Sequence, residues 1–333
     1  MSLKIIKPGL LDTLQDAGRF GYQHLGINTG GAMDSFSSRL ANALVGKPLN
    51  GAVLELHFPA AEICFGHSVI ISICGADFTP LINKVPVPLN HPILVDKDAR
   101  LKFSGIASGV RTYIGFSGDL RVPKWLGSHS THLKAGIDGL LGRALGAHDI
   151  IDITAYELPP ADITGAGFRV LHWQAKESVS LQQRIQFLVG SEWNQLGSAS
   201  REDFLSAVFQ LSPVCDRMGL QLRGPTLQRD HRSEMLSSAV SFGTVQLLPS
   251  GQVIVLMADH QTTGGYPKLA HIISAHLPIF AQKKPGDIIQ FEPATLAVAQ
   301  EKISRQHRYL EEVREESRRR LLNSFPQMAD NPD

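Results

Sequence analysis

Between residues 52 and 116 short apolar runs alternate with turn residues: 53–56, 62–65, 69–73, 93–95, 100–103 and 110–116. A spacing of roughly ten residues predicts an antiparallel sheet or barrel rather than βαβ units. Farther on, Val253-Ile254-Val255-Leu256-Met257 follows Pro249-Ser250-Gly251 and predicts another buried strand. Two stretches change period. Phe36, Leu40 and Leu44 recur every fourth residue behind Asp34 or Ser35, either of which can cap a helix that Gly46 and Pro48 end. Residues 294–322 are rich in Ala, Glu, Gln, Arg and Leu, with Ala299, Ile303, Leu310, Val313 and Leu321 as a loose apolar stripe. This predicts a surface helix, packed along the barrel or offered to a partner. Arg318, Arg319 and Arg320 suit its C-terminal dipole, and 325–333 are expected to fray.

Composition narrows the class. A chain of 333 residues that is 43% hydrophobic can bury a large core and predicts two domains. Its net charge of +1 lacks the basic excess of a nucleic-acid footprint. The first residues carry no apolar signal core, and no run approaches the roughly 20 residues of a membrane span, so a cytoplasmic protein is expected. Cys64, Cys74 and Cys215 form no CxxC pair, and Cys64 and Cys74 sit in apolar runs, which predicts buried free thiols.

Residues 19–26 and 217–224 share Arg, Gly, Gln and Gly at identical spacing, and each half later reaches a similar strand entry, near 95–103 and 282–291. Two related β domains are therefore expected, 1–160 and 161–292, with the boundary near 159–167. The helix and frayed tail follow at 293–333. The fold class is mainly β (α+β), and a ligand would favour the domain interface.

Candidate chemistry collects in polar, glycine-rich loops. After the 253–257 strand come Ala258, Asp259, His260, Gln261, Thr262, Thr263, Gly264, Gly265, Tyr266 and Pro267. The glycines admit close backbone approach, and the neutral donors suit a planar or anionic group; a turn satisfied by its own hydroxyls is the equal alternative. Residues 8–23 place Thr13, Gln15, Asp16 and Arg19 among glycines, where Asp16 and Arg19 could also pair with each other. Gly30 and Gly31 precede the 34–46 helix, whose N-terminus could hold an anion unless Asp34 fills that place. The loop at 122–132 brings His129, Ser130, Thr131 and His132 together. The two histidines have metal-like spacing but no convincing third ligand, so no metal is assigned. Ser130, His129 and Asp138 could compose a triad on paper, without a nucleophile elbow. Glu55, inside an apolar run, is either paired structurally or functional.

Taken in order, Pro8-Gly9-Leu10 with residues 13–19, Gly30-Gly31-Ala32-Met33-Asp34, residues 127–131, Asp216-Arg217-Met218-Gly219 with Gly224-Pro225, and residues 258–267 resemble the KipA family. This is the biotin-dependent carboxyltransferase-like, or allophanate hydrolase subunit 2, family, which includes the C component of bacterial 5-oxoprolinase. The resemblance runs from about residue 3 to residue 292. It implies tandem cyclophilin-like β-barrels. It also implies two partners, a KipI-like B component and a 5-oxoprolinase A component, with ATP and Mg as co-substrate. The implied reaction is ATP-dependent opening of the 5-oxoproline lactam to L-glutamate. An unstrained amide needs activation, for which phosphorylation of its carbonyl oxygen would serve, and such chemistry rests on positioning and charge stabilisation. No P-loop is present.

Under that resemblance Asp16, Arg19, Asp34, Asp259 and His260 are candidates for catalysis. Gln15, Gly30, Gly31, Ser130, Thr131, Arg217, Gln261, Thr262, Thr263 and Tyr266 are candidates for holding substrate or nucleotide. Arg19 or Arg217 could grip a substrate carboxylate, or each could fix its own turn. At His129 and His260 the family more often carries arginine, and the shorter imidazole weakens anion binding there. Two other readings are an amidolyase-type carboxyltransferase component for urea or allophanate-like amides, and a regulator that sequesters a KipI-like kinase inhibitor. The first would take biotin from another chain, because no Met-Lys-Met signature is present.

Overall fold

A computed structural model describes residues 2–137, 142–154, 156, 158–159, 165–176, 179, 182, 184–230 and 235–330. The chain divides into two compact units: residues 1–18, 34–179 and 307–333 make the first, and 19–33 with 180–306 make the second. Both are mostly β.

In the first unit two six-stranded sheets form. One face of each contributes to a shared apolar core, with Leu3, Ile5, Ile63, Phe65 and Leu101 from one sheet and Leu14, Leu54, Leu56, Ile73 and Ile114 from the other. The apolar runs read from the sequence appear as strands Val53–His57, Glu62–Phe65, Val69–Asp77, Pro92–Val95, Arg100–Phe103 and Ser108–Phe116. Helix α1, Ser35–Leu44, packs on the second sheet. Asp34 Oδ1 accepts from the amides of Phe36 and Ser37 at 3.1 and 2.8 Å, and Gly46 takes φ 72° just past the end. Gly115 lets that helix close in, since a Cβ there would lie 2.5 Å from the Ala41 carbonyl oxygen.

The second unit closes a seven-stranded barrel. All its strand pairs are antiparallel except Arg184–Val189 with Ile288–Pro293. Helix α2, Ser198–Ser206, anchors through Phe204, which stacks on Phe291 with centroids 4.5 Å apart and meets Phe187 edge-on. A short helix, α3, covers Leu277–Ala281.

Helix α4, Leu296–Ser324, fulfils the long-helix expectation. Within the second unit Gln306 Nε2 donates to the Ala275 carbonyl at 3.1 Å; within the first, Tyr309 stacks on Phe36 and Trp173 Nε1 donates to Ser317. The expected fraying is overturned at its start. Phe325 is buried with Leu321, Ile70 and Leu94, and residues Pro326–Asp330 form a 3-10 turn. Cys64 is only half-buried, whereas Cys74 is fully covered. Residues 19–26 hold a 3-10 turn at Gln23–Leu25, while 219–223 form a strand, so the repeated spacing does not repeat a local structure. Among the described residues no helix is long and apolar enough to cross a membrane.

Candidate functional site

The sheet face that α1 covers is polar. Residues directly opposite in an antiparallel pair share a face, so the pairs Thr13–Glu55, Glu55–Tyr113 and His57–Arg111, with Gln15 two residues beyond Thr13, line one side. All six are buried. Glu55 is fully covered and its Oε2 accepts from the Tyr113 hydroxyl at 2.8 Å; that hydroxyl in turn accepts from the Asp34 amide at 2.8 Å. Burial, then the carboxylates of Glu55 and Asp34, push the Tyr113 phenol well above its ordinary value, against the pull of Arg111. The phenol is therefore a fixed donor at neutral pH. Such a concentration of buried ionisable groups is costly unless it is used or fully paired.

Beside this face two distant loops meet at Asp16. Its Oδ1 accepts from Ser128 Oγ, Ser130 Oγ and the Gly18 amide at 2.7, 2.6 and 2.7 Å, and its Oδ2 from the His129 amide at 2.6 Å. Burial works to raise the carboxyl, but the Ser130 and Ser128 hydroxyls and the two amides outweigh it and hold Asp16 below the usual carboxylate range. Ser130 is thus committed to Asp16, which removes the paper triad; Asp138 lies outside the described residues. His132 Nδ1 accepts from the Ala135 amide, an ordinary turn role. Gln15 Nε2 donates to the Thr131 carbonyl at 3.2 Å and to Thr13 Oγ1 at 3.0 Å. Because a carbonyl only accepts, this fixes the carboxamide's orientation. Among the described residues Gln15 Oε1 and Thr131 Oγ1 are buried and meet no hydrogen-bond partner, each a cost of about 1–3 kcal/mol.

In the second unit Arg217 Nε and Nη2 grip Asp259 at 2.8 and 3.1 Å, and Nη2 also donates to the Gly31 carbonyl at 2.6 Å. Asn28 Nδ2 donates to the Asp259 carbonyl, and the Arg19 amide to that of Thr29. This arrangement favours a structural role for Arg217 and Asp259 over a grip on substrate. Arg19 is buried. Gly31 presents its carbonyl to Arg217 within the second unit, and in the first unit Asp34 Oδ1 takes the capping place at the α1 amides of Phe36 and Ser37. His260 is buried and its Nδ1 meets the Gln261 carbonyl at 2.5 Å. Burial lowers its pKa, opposed by the Gln261 bond and Asp259, so it is a neutral donor rather than an arginine substitute. Thr263 and Gly264 pair as a strand with Ser238 and Ala239, and the Thr262 carbonyl accepts from Val240. Gln261 is half-buried, and Tyr266 is 43% exposed on a cavity of about 610 Å³ within this unit.

The predicted residues therefore fall into separate places. Gln15, Asp16, Ser130 and Thr131 come together in the first unit beside the polar face, and Arg217, Asp259, Gly31 and His260 in the second. Sequence reading passed over Tyr113 and Arg111, whose sheet position only the register shows; Glu55, an acid in an apolar run, was the visible signal. Among the described residues no three His, Cys, Asp or Glu side chains gather as a resident metal would need.

Comparison with known proteins is consistent with this architecture. The family model described as carboxyltransferase domain, subdomain A and B, matches residues 25–293. The C component of the Escherichia coli (strain K12) 5-oxoprolinase is 35% identical over 93% of this chain and 97% of its own length. Its counterpart in Haemophilus influenzae is 33% identical over 91% and 94%. Among solved structures, the K. lactis urea amidolyase aligns with a TM-score of 0.85 at 25% identity, over 94% of this chain and 20% of that one.

Proposed function

We propose that this chain, which belongs to the carboxyltransferase domain, subdomain A and B, family, works as the C component of an ATP-dependent 5-oxoprolinase. The observation that carries the reading is end-to-end correspondence with proteins named as the C component of that enzyme. The buried polar face of the first unit supplies fitting chemistry.

In this reading the lactam carbonyl oxygen attacks the γ-phosphorus of ATP and ADP leaves. Water then adds to the activated carbon, the ring C–N bond breaks as nitrogen takes up a proton to leave an acyl phosphate, and a second water releases phosphate and glutamate. The chain's part is to orient the lactam and to supply fixed hydrogen bonds in a dry setting, where they act more strongly than in water. The Tyr113–Glu55 and Asp16–Ser130 hydrogen bonds would hold the walls of such a setting in place. An A component and a KipI-like B component would complete the enzyme. A second reading, carboxyl transfer to a urea-like amide with biotin delivered by another chain, draws on the likeness to the K. lactis urea amidolyase.

The test is glutamate release from 5-oxoproline and ATP by this chain mixed with its presumptive A and B components, each omitted in turn. Glu55→Gln, with its fold checked by circular dichroism, serves as site control. Turnover that requires this chain and drops at least tenfold in the variant supports the reading. A stable complex that releases no glutamate but carboxylates urea in the presence of a biotinylated carrier replaces it with the second.

A further inference from the structure

The strand Thr13–Gln15 is three residues long, lies at the edge of its sheet and pairs there with Val53–His57. So short an edge strand depends on what holds its ends. At its start stands Asp12, which has no exposed surface. Its Oδ1 accepts from the His57 amide at 3.0 Å, its Oδ2 from the Ala61 amide at 2.7 Å, and the Gly9 amide also donates to the carboxylate. Two further bonds tie the same segments. The Leu10 amide donates to the Pro59 carbonyl at 2.6 Å, and His57 Nδ1 donates to the Leu11 carbonyl at 2.8 Å, since a carbonyl only accepts. Gly9 leaves room for this clasp, because a Cβ there would lie 2.1 Å from Asp12 Oδ2.

Among the described residues no cation faces the Asp12 carboxylate. On the segments packed against it, Arg143 pairs with Asp149 at 2.7 Å, and Glu62 stands 3.8 and 3.7 Å from Arg100 and Lys102. Glu55 accepts from Tyr113, and Lys7 is exposed. An ionised carboxylate in this place has lost its hydration and is held by neutral amides alone. Burial therefore raises its pKa from 3.8 to about 7, against the pull of the His57, Ala61 and Gly9 amides. The two protonation states also bond differently. A carboxylate accepts from all three amides, whereas a carboxylic acid turns its O–H toward a donor and gives one of them up. The segments so joined lead directly to Gln15 and Asp16 on one side and to Glu55 on the other.

We propose that Asp12 is a positioning residue whose charge seats the Thr13–Gln15 strand, and with it Gln15 and Asp16, and that proton uptake by Asp12 loosens that strand. The consequence for lactam opening rests on the oxoprolinase reading above; the proton-dependent clasp does not.

Two measurements test it. In the full chain, hydrogen exchange of the 13–15 amides, corrected for the intrinsic pH dependence of exchange, should show protection that falls about tenfold from pH 8 to pH 6, following the ionised fraction across a midpoint of about 7. Asp12→Asn, which keeps one accepting oxygen and carries no charge, should show the lower protection at both. In the complex with the presumptive A and B components, kcat/KM for 5-oxoproline should fall about tenfold over the same range in wild type. The variant should begin at the low level and lack that fall, so that the two curves meet near pH 6. A loss of equal size at every pH marks a merely structural role and overturns the proposal. Wild-type protection that is equal at pH 6 and pH 8 also overturns it, without need of a variant that folds. Identical pH profiles for variant and wild type in a complex that makes glutamate overturn it while sparing the oxoprolinase reading. Protection that depends on pH in wild type but not in Asp12→Asn, in a complex that releases no glutamate, sinks that reading and leaves the clasp standing.

Discussion

Arg217 holds both carboxylate oxygens of Asp259 in a fork whose members are each only 6% exposed at the side chain, and the same guanidinium reaches the Gly31 carbonyl. One residue thus ties the strand-end loop at 259 to the 19–33 segment of the same unit. Removing one partner of such a buried pair strands the other charge, at a cost of about 3–5 kcal/mol. Arg217→Ala and Asp259→Ala should each lose that much stability in urea unfolding. The double change Arg217→Met with Asp259→Leu should lose clearly less than the sum. If either single variant unfolds like wild type, the pair is not holding the segment.

Asp16 predicts an acid-side signature. Its carboxylate is held below the ordinary value of 3.8, so the stabilisation is fully present above that pH and is lost as pH falls through the lower, folded value. Asp16→Asn replaces one accepting oxygen by a donor facing amides and hydroxyls, which should cost about 2 kcal/mol or more at pH 7. The gap between variant and wild type should then close as pH drops below 3.8. Unfolding curves measured from pH 7 to 2.5 decide this, and a gap that stays constant would sink the assignment.

Much of this was open to sequence reading, for separate reasons. The strands of the first unit were legible because apolar runs and turn residues are local signals, and the α1 cap because Asp34 acts within three residues. The links that build the polar face are not local. Tyr113 meets Glu55 and Asp34 across 58 and 79 positions, and Asp16 meets Ser130 across 114, so only register and loop closure reveal them. Phe325 reads as tail because Pro326 follows it, yet Ile70 and Leu94 give it a buried place. Loop 258–267 was flagged by composition as one site, but Asp259 and His260 turn inward while Tyr266 faces a cavity.

Thr131 separates substrate contact from structure. Its hydroxyl is buried and meets no partner among the described residues, whereas its backbone amide and carbonyl are used by Leu14 and Gln15. Thr131→Val keeps those backbone bonds and removes the orphan, so thermal stability should stay level or rise. If the hydroxyl and Gln15 Oε1 serve the substrate amide, KM for 5-oxoproline should rise at least tenfold in the same variant. A fall in Tm with unchanged KM would mean that the hydroxyl satisfies the fold alone.

His276 gives the second unit its own pH dependence. Its Nδ1 accepts from the Gln186 amide at 2.9 Å, which requires that nitrogen to be unprotonated, and Lys302 Nζ stands 3.4 Å from Nε2. Burial first and Lys302 second push its pKa from 6.5 to about 4. Between those values the unfolded chain binds the proton and the folded chain does not, so stability is complete above about 6.5 and falls as pH drops toward 4. His276→Gln, whose Oε1 can accept from the same amide but does not titrate, should flatten this slope while leaving Tm at pH 7.5 within a few degrees. Thermal melts every half unit from pH 8 to 4 measure it. A slope in the variant as steep as in wild type would place the sensitivity in His260 or His271, whose pKa values burial also lowers.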